Sequence, residues 1–238
     1  LYDFSDHVVM ITGAAGNLGG AAAHAFAEAG ANLCLLDNRP DRLQAVCGDL
    51  GDSPEHLLLG SVDMTDSASV ESAVRAAIDR FGRIDVLINT AGGYRAGEPL
   101  HATPTETWDF MMDLNARSVF LGARAVVPQM LSQGAGVIIN IGARPGLRGI
   151  ANAAAYGASK SAVIRITESL AAELKRMGVR VNCVLPGTID TPQNRAAMPD
   201  AKRDRWVEPS QVVDVMMFLA SQAASAIHGA AIPVYGLG

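Results

Sequence analysis

Short runs of β-branched residues and leucine alternate along this chain with longer segments whose apolar residues recur at helical spacing. That is the pattern of strand–helix–strand units building a parallel sheet with helices on both faces. Seven runs read as strands: Val8–Thr12, Asn32–Asp37, His56–Ser61, Val86–Asn89, Val137–Ile141, Arg180–Leu185 and Ala231–Val234. Most are apolar at consecutive rather than alternate positions, so they leave no solvated face. Between them the spacing predicts helices over Leu18–Ala29, Arg39–Cys47, Ser67–Phe81, Thr105–Ser132, Ala155–Met177 and Pro209–Ala220. No linker, repeat or low-complexity tract breaks the rhythm, and a single α/β domain over residues 1–238 is expected.

Composition narrows the function classes. The 238 residues are 49% hydrophobic and 18% charged, which suits one large core. A net charge of -5 offers no basic field for a phosphate backbone, so nucleic acid is not an expected partner. Cys34, Cys47 and Cys183 are odd in number and lack metal-site or disulfide spacing, so they read as buried thiols of a reducing, cytoplasmic setting, and no metal is expected. Apolar stretches such as Val119–Val127 stop well short of a membrane span, and no leader segment is visible.

After the first strand comes Thr12-Gly13-Ala14-Ala15-Gly16-Asn17-Leu18-Gly19, then an alanine-rich helix. A glycine turn there lets backbone N–H groups approach a pyrophosphate at a positive helix end, though an ordinary strand-to-helix turn has the same composition. Asp37 ends the second strand, where a carboxylate can accept bonds from both ribose hydroxyls and repel a 2′-phosphate. Asp63 follows the third, within reach of an adenine amino group. Each could also be a helix cap; together, after three successive strands, they outline a dinucleotide cleft.

With these residues the sequence resembles the short-chain dehydrogenase/reductase family, whose first turn reads Thr-Gly-x-x-x-Gly-x-Gly. The resemblance runs from Asp3 to Gly236 and implies a seven-stranded, doubly wound Rossmann fold. Asn17 stands at the middle glycine position, and since asparagine adopts positive φ most readily after glycine, the turn is expected to survive. The family's Asn-Asn-Ala-Gly appears as Asn89-Thr90-Ala91-Gly92, and its Pro-Gly as Pro186-Gly187. The resemblance places Gly13, Asn17, Leu18, Gly19, Asp37, Asp63, Met64, Asn89, Ala91, Gly92, Tyr156, Lys160, Pro186, Ile189 and Thr191 along the cofactor, with Ile189 and Thr191 at the carboxamide. NADH is the expected cofactor; NADP stays open because Arg39 could meet a 2′-phosphate.

Tyr156 and Lys160 stand four residues apart on a predicted helix and share a face. A phenol with a pKa of about 10 is a poor acid or base at neutral pH, but an adjacent ammonium lowers it. The resemblance implies Tyr156 as general acid/base, Lys160 as ribose ligand and tyrosine tuner, and Asn115 as the residue holding a relay water; Asn115 otherwise reads as a polar break in an apolar helix. Thirteen residues before Tyr156, where the family has a serine donor, stands Ala143. Losing one such donor typically costs about 2.7–4 kcal/mol of transition-state stabilisation. A dead homologue, Arg144 as substitute donor, or a substrate whose charge delocalises would each account for it. Ala91-Gly92-Gly93-Tyr94, Gly142-Ala143-Arg144, Leu185 through Arg195, Met198 through Ala201 and Trp206 are similar to dihydropteridine reductases, a branch that also carries alanine there and reduces a quinonoid dihydropterin. That favours a conjugated substrate; a carbonyl or 3-oxoacyl reductase, an alcohol dehydrogenase, and an NADH-binding pseudoenzyme are the alternatives. Residues Gln193–Trp206 should cover the substrate side of the cleft, with Tyr94, Ala143, Arg144 and Asn194 lining it and Arg95 either there or in solvated loop. The apolar surplus of the two longest helices, with the family resemblance, implies a homodimer or tetramer.

Overall fold

A computed structural model describes residues 2–237; residues 1 and 238 lie outside it. Seven parallel strands form one sheet in the order β3-β2-β1-β4-β5-β6-β7. They are β1 (Val8–Thr12), β2 (Asn32–Leu36), β3 (His56–Leu59), β4 (Val86–Asn89), β5 (Gly136–Ile141), β6 (Val179–Pro186) and β7 (Ala231–Val234). The helices are α1 (Asn17–Glu28), α2 (Pro40–Cys47), α3 (Ser67–Phe81), α4 (Thr105–Met111), α5 (Ser118–Gln133), α6 (Ala154–Leu174), α7 (Pro192–Ala197) and α8 (Pro209–Ala220). Among the described residues, no helix is long and apolar enough to cross a membrane.

Alternate residues of each strand feed two separate cores. Val9, Ile11, Leu33, Leu35, Val86, Ile88 and Ile139 pack with Ala22 and Phe26 of α1 and Val212, Met216 and Leu219 of α8. Met10, Cys34, Leu36, Leu87, Ile138 and Val181 pack on the opposite face with Val70 and Val74 of α3, Val126 and Met130 of α5 and Leu174 of α6. Two covered faces explain why the strand runs are continuously apolar. Pro233 falls within β7, which pairs only with β6 and so tolerates a residue without an N–H.

The structure departs from the sequence expectations at three places. The single helix expected over Thr105–Ser132 is interrupted by a π-helical segment, Met112–Arg117, that separates α4 from α5. The inserted residue breaks the 3.6-residue register, which apolar spacing alone does not reveal. A short helix, α7, stands where only a polar loop was expected. Its start is marked by Thr191, whose hydroxyl accepts from the Asn194 N–H, with Pro192 at the first helical position. The second and third strands end at Leu36 and Leu59, so Asp37 and Asp63 sit in the loops beyond them.

A polar spine crosses the buried sheet beneath the C-terminal strand ends. Asn89 Nδ2 donates to Asn140 Oδ1 (2.9 Å), and Asn140 Nδ2 donates to Thr167 Oγ1 (2.9 Å), which donates to the Val163 carbonyl. It fixes the ends of β4 and β5 relative to α6. Asn140→Ala leaves the Asn89 amide without an acceptor in the core and should cost about 1–3 kcal/mol. At about 2–4 °C per kcal/mol for a domain of this size, calorimetry should read a Tm lower by roughly 2–12 °C. An unchanged Tm would show that the spine adds nothing to stability.

Candidate active site

The sheet order reverses between β1 and β4, and an open α/β sheet has its crevice beyond the carboxyl ends of such strands. Here the two ends are tied together: the Ala91 N–H donates to Thr12 Oγ1 (3.2 Å) and Thr90 Oγ1 donates to the Thr12 carbonyl. Gly13 takes φ +67°, and a Cβ on it would stand 2.7 Å from the Ala91 backbone, so no side chain fits. A cleft of about 540 Å³ opens at this junction, lined by Gly13, Gly16, Asp37, Asp63, Met64, Ala91 and Gly92 among others. Phe110, Asp113 and Leu114 close its far side, which strand-end motifs did not indicate because they come from α4 and the π segment.

Asn17 corrects one expectation. It is the first helical residue of α1 rather than a positive-φ turn residue; the left-handed position belongs to Gly13. A helical φ suits any residue there, so no glycine is required. Gly16 caps α1 without a side-chain acceptor, leaving the first-turn amides, those of Asn17 and Leu18 included, directed outward. Gly19 packs against the turn itself, a Cβ there overlapping the Gly13 carbonyl. Bare amides, a positive helix end and space that Cβ atoms would fill are the donor set a pyrophosphate needs.

Asp37 is almost wholly buried and accepts from the Ala15 N–H (3.0 Å), the Arg39 N–H (3.1 Å) and Arg39 Nε (3.0 Å). Arg39 therefore sits on the carboxylate, where a ribose diol must displace it. Asp63 Oδ1 accepts from the Thr65 N–H and hydroxyl, so the residue both caps its own turn and lines the cleft.

Tyr156 and Lys160 lie on the first turns of α6, Lys160 buried and Tyr156 partly so. Lys160 Nζ donates to the Ile141 carbonyl at the end of β5 (2.8 Å). Asn115 sits in the π segment, fully buried: its Oδ1 accepts from the Gly93 N–H (2.9 Å), and its Nδ2 donates to the Gly93 carbonyl and to Ser159 Oγ. Ser159 in turn donates to the Tyr156 carbonyl. A Cβ placed on Gly92 would stand 2.9 Å from Asn115 Oδ1 and 3.4 Å from Lys160 Nζ, so glycine keeps a polar opening between the two side chains. Asn115 thus faces Gly93, Ser159 and the opening beside Gly92 from within the π segment. Ser159, unremarked in the motif, is the link that couples it to the tyrosine.

The expected lowering of the tyrosine is absent. Burial, and then the neighbouring Tyr94, push the Tyr156 phenol up to about 12. Tyr94 is mostly exposed and meets Tyr156 edge-on with ring centroids 4.8 Å apart. Lys160 directs its ammonium to the Ile141 carbonyl, and burial lowers its own pKa to about 8.

Ala143 is buried in extended backbone two residues beyond β5 and offers only a methyl group. Arg144 is exposed, with its guanidinium 5.2 Å above the Tyr235 ring. Asn194 directs its amide Nδ2 to the Ile189 carbonyl (2.8 Å), so this group shapes the loop rather than reaching for a ligand. Pro186 ends β6; Ile189 bridges to Val207, and Thr191 caps α7. Arg95 stacks on Phe110 at 4.1 Å and lines a smaller hollow of about 270 Å³ with Glu98, Thr107 and Asn152. Among the described residues, no cluster of potential metal ligands is present.

The description "short chain dehydrogenase" belongs to the family profile that matches residues 7–202. The chain is 37% identical to the 2-(R)-hydroxypropyl-CoM dehydrogenase of Xanthobacter autotrophicus, over 96% of this chain and 97% of that relative. It is 35% identical to levodione reductase of Leifsonia aquatica, over 98% and 94%. A crystal structure of levodione reductase superposes with a TM-score of 0.90 at 34% identity, covering 98% of this chain and 97% of that one. NAD+-bound xylitol dehydrogenase superposes with a TM-score of 0.90 at 28% identity, covering 98% and 99%.

Lys160 makes the site costly to fold. Its ordinary value is 10.5, so the unfolded chain holds this proton more tightly than the folded one. Stability should therefore rise with pH from about 8, and below that the buried ammonium costs on the order of 3 kcal/mol. Above pH 9 the raised thiols of Cys34, Cys47 and Cys183 pull the other way, because burial makes their ionisation unfavourable in the fold. Lys160→Met should raise the Tm at pH 7 and abolish the gain between pH 8 and 9. A variant less stable than the parent at pH 7 would contradict this account.

Proposed function

The chain belongs to the short chain dehydrogenase family and is an oxidoreductase, and on that footing we propose that it transfers hydride between a nicotinamide dinucleotide, NAD before NADP, and a small carbonyl or conjugated substrate. The meeting of Asn115 Oδ1 and Lys160 Nζ at the opening beside Gly92, with Tyr156 one turn before Lys160 on α6, carries this reading. A bound dinucleotide would supply the hydride, with its pyrophosphate at the Gly13–Gly19 turn, its ribose at Asp37 and its nicotinamide end near Pro186, Ile189 and Thr191.

Tyr156 holds the proton that the substrate oxygen or nitrogen takes as it is reduced. A phenol kept protonated by burial suits the reductive direction, where it acts as an acid. Lys160, ammonium at neutral pH, stabilises the phenolate that donation leaves behind, provided it turns from the Ile141 carbonyl toward the phenol. Asn115, locked by Gly93 and Ser159, keeps the polar opening through which the proton is restored.

Ala143 and the outward Arg144 favour a substrate whose negative charge spreads over a conjugated system, a quinonoid dihydropterin or a cyclic enedione, because a localised alkoxide would lack the donor that a serine at position 143 would supply. The dehydrogenases and reductases among the relatives favour the second reading, an alcohol–ketone couple. Asp37 favours NAD, and Arg39, released from it, would ease the entry of NADP.

Purified protein, NADH and a panel of quinonoid dihydropterin, quinones, ketones and 3-oxoacyl thioesters separate these readings. Turnover of conjugated acceptors alone supports the first reading; turnover of simple ketones supports the second. Tyr156→Phe should lower kcat by about 10²-fold or more while changing NADH affinity little, and full activity in this variant would overturn the mechanism. Ala143→Ser should raise kcat/KM on ketones by roughly 10²-fold if the absent donor is what limits them. No gain would point to the shape of the pocket.

A further inference from the structure

Asn17 Nδ2 donates to Gln193 Oε1 at 2.7 Å, a bond between residues 176 apart in sequence. Asn17 opens α1 directly after the glycine turn that follows β1. Gln193 is the second residue of α7, in the segment that follows β6. In the sheet, β4 and β5 lie between those two strands, so β1 and β6 are three spacings apart, roughly 14 Å. A bond joining the loops beyond β1 and β6 must therefore pass over the carboxyl ends of β4 and β5. Those ends carry Ala91 and Gly92, which line the cleft, and Ala143.

The segment that bears Gln193 is a stiff flap closed on itself. Its base is a parallel bridge between Ile189 and Val207, with the Asp190 N–H donating to the Val207 carbonyl and the Val207 N–H to the Thr188 carbonyl. Arg195 pairs with Asp190 through Nε and Nη2, and Asn194 donates to the Ile189 carbonyl. A bond at Gln193 consequently holds the whole flap, not one flexible side chain.

We propose that Asn17 and Gln193 form a clasp across the mouth of the cleft, which must open each time a dinucleotide enters or leaves and so governs the rate of cofactor exchange. Both side chains act as positioning residues. A glycine at position 17 would supply the same helix start without the bridge, which gives the asparagine a role of its own. The inference rests on the dinucleotide reading above, and the two can fail separately.

Stopped-flow fluorescence with NADH, on the full chain and on Asn17→Ala, Gln193→Ala and the double variant, tests it. A clasp lies in the path in both directions, so each single variant should speed association and dissociation alike by about two- to tenfold, with a smaller change in Kd. The double variant should match the singles, since the two amides act through one bond. Unchanged rates would overturn the clasp. Weaker binding with unaltered association, or effects that multiply in the double variant, would show instead that each amide contacts the dinucleotide directly. Failure of the parent protein to bind NADH at all would overturn the dinucleotide reading, and the clasp with it.

Discussion

The close approach of the Gly13 turn to Ala91 is the contact on which the site depends. Parallel strands with crossovers on both faces must somewhere reverse direction across the sheet, and here they do so between β1 and β4. At that junction the backbones come so near that a Cβ on Gly13 would overlap Ala91, and the Thr12 and Thr90 hydroxyls lock the two ends together. The tie decides where the crevice opens and which residues face it. Ala91 and Gly92 follow immediately after it, and Gly92 leaves the gap beside Lys160 and Asn115. The cleft and the proposed proton site are therefore the two sides of one tight backbone crossing.

Around that crossing the protein accepts local costs that a purely structural sheet would avoid. A lysine is buried with one carbonyl partner, a phenol is held up to about 12, and Asn89 keeps a buried oxygen without a partner beside Gly122. The π segment breaks the hydrogen-bond ladder of a long helix and directs Asn115 at Gly93 and Ser159. Such features gather where chemistry occurs, because a site needs polar groups poised and desolvated rather than satisfied. The two apolar cores on either face of the sheet carry the compensating stability.

Elements whose cause is local were legible in the sequence. α3 begins at the Asp66 cap and ends at left-handed Gly82, and its predicted bounds match the structure. The seven strands announced themselves because burial on both faces leaves no polar alternation. What escaped prediction depends on contacts between distant segments. The glycine pattern makes Asn17 a turn residue, whereas its partner 176 residues away is invisible to any motif. Ser159 belongs to no motif, and its bonds to Asn115 and to the Tyr156 carbonyl exist only where α6 meets the π segment. The tyrosine–lysine pair shares a helix face as expected, yet spacing says nothing of the Ile141 carbonyl that draws the ammonium aside.

That diversion of Lys160 bears on how the site would be assembled. Burial and Tyr94 leave the phenol a weak acid while the ammonium is bonded to Ile141, so on the proposed mechanism proton donation would require the lysine to exchange one oxygen partner for another within the same buried space. The exchange costs little if the incoming partner is a neutral hydroxyl oxygen of comparable geometry, because the desolvation of Lys160 is already present in the fold. A ligand that brings such an oxygen beside Gly92 then changes the acidity of Tyr156 without having to bury a new charge. Activation of the tyrosine would be tied to occupation of the cleft, and with Ala143 offering no second donor, the rate on any substrate would follow how well that single exchange is made.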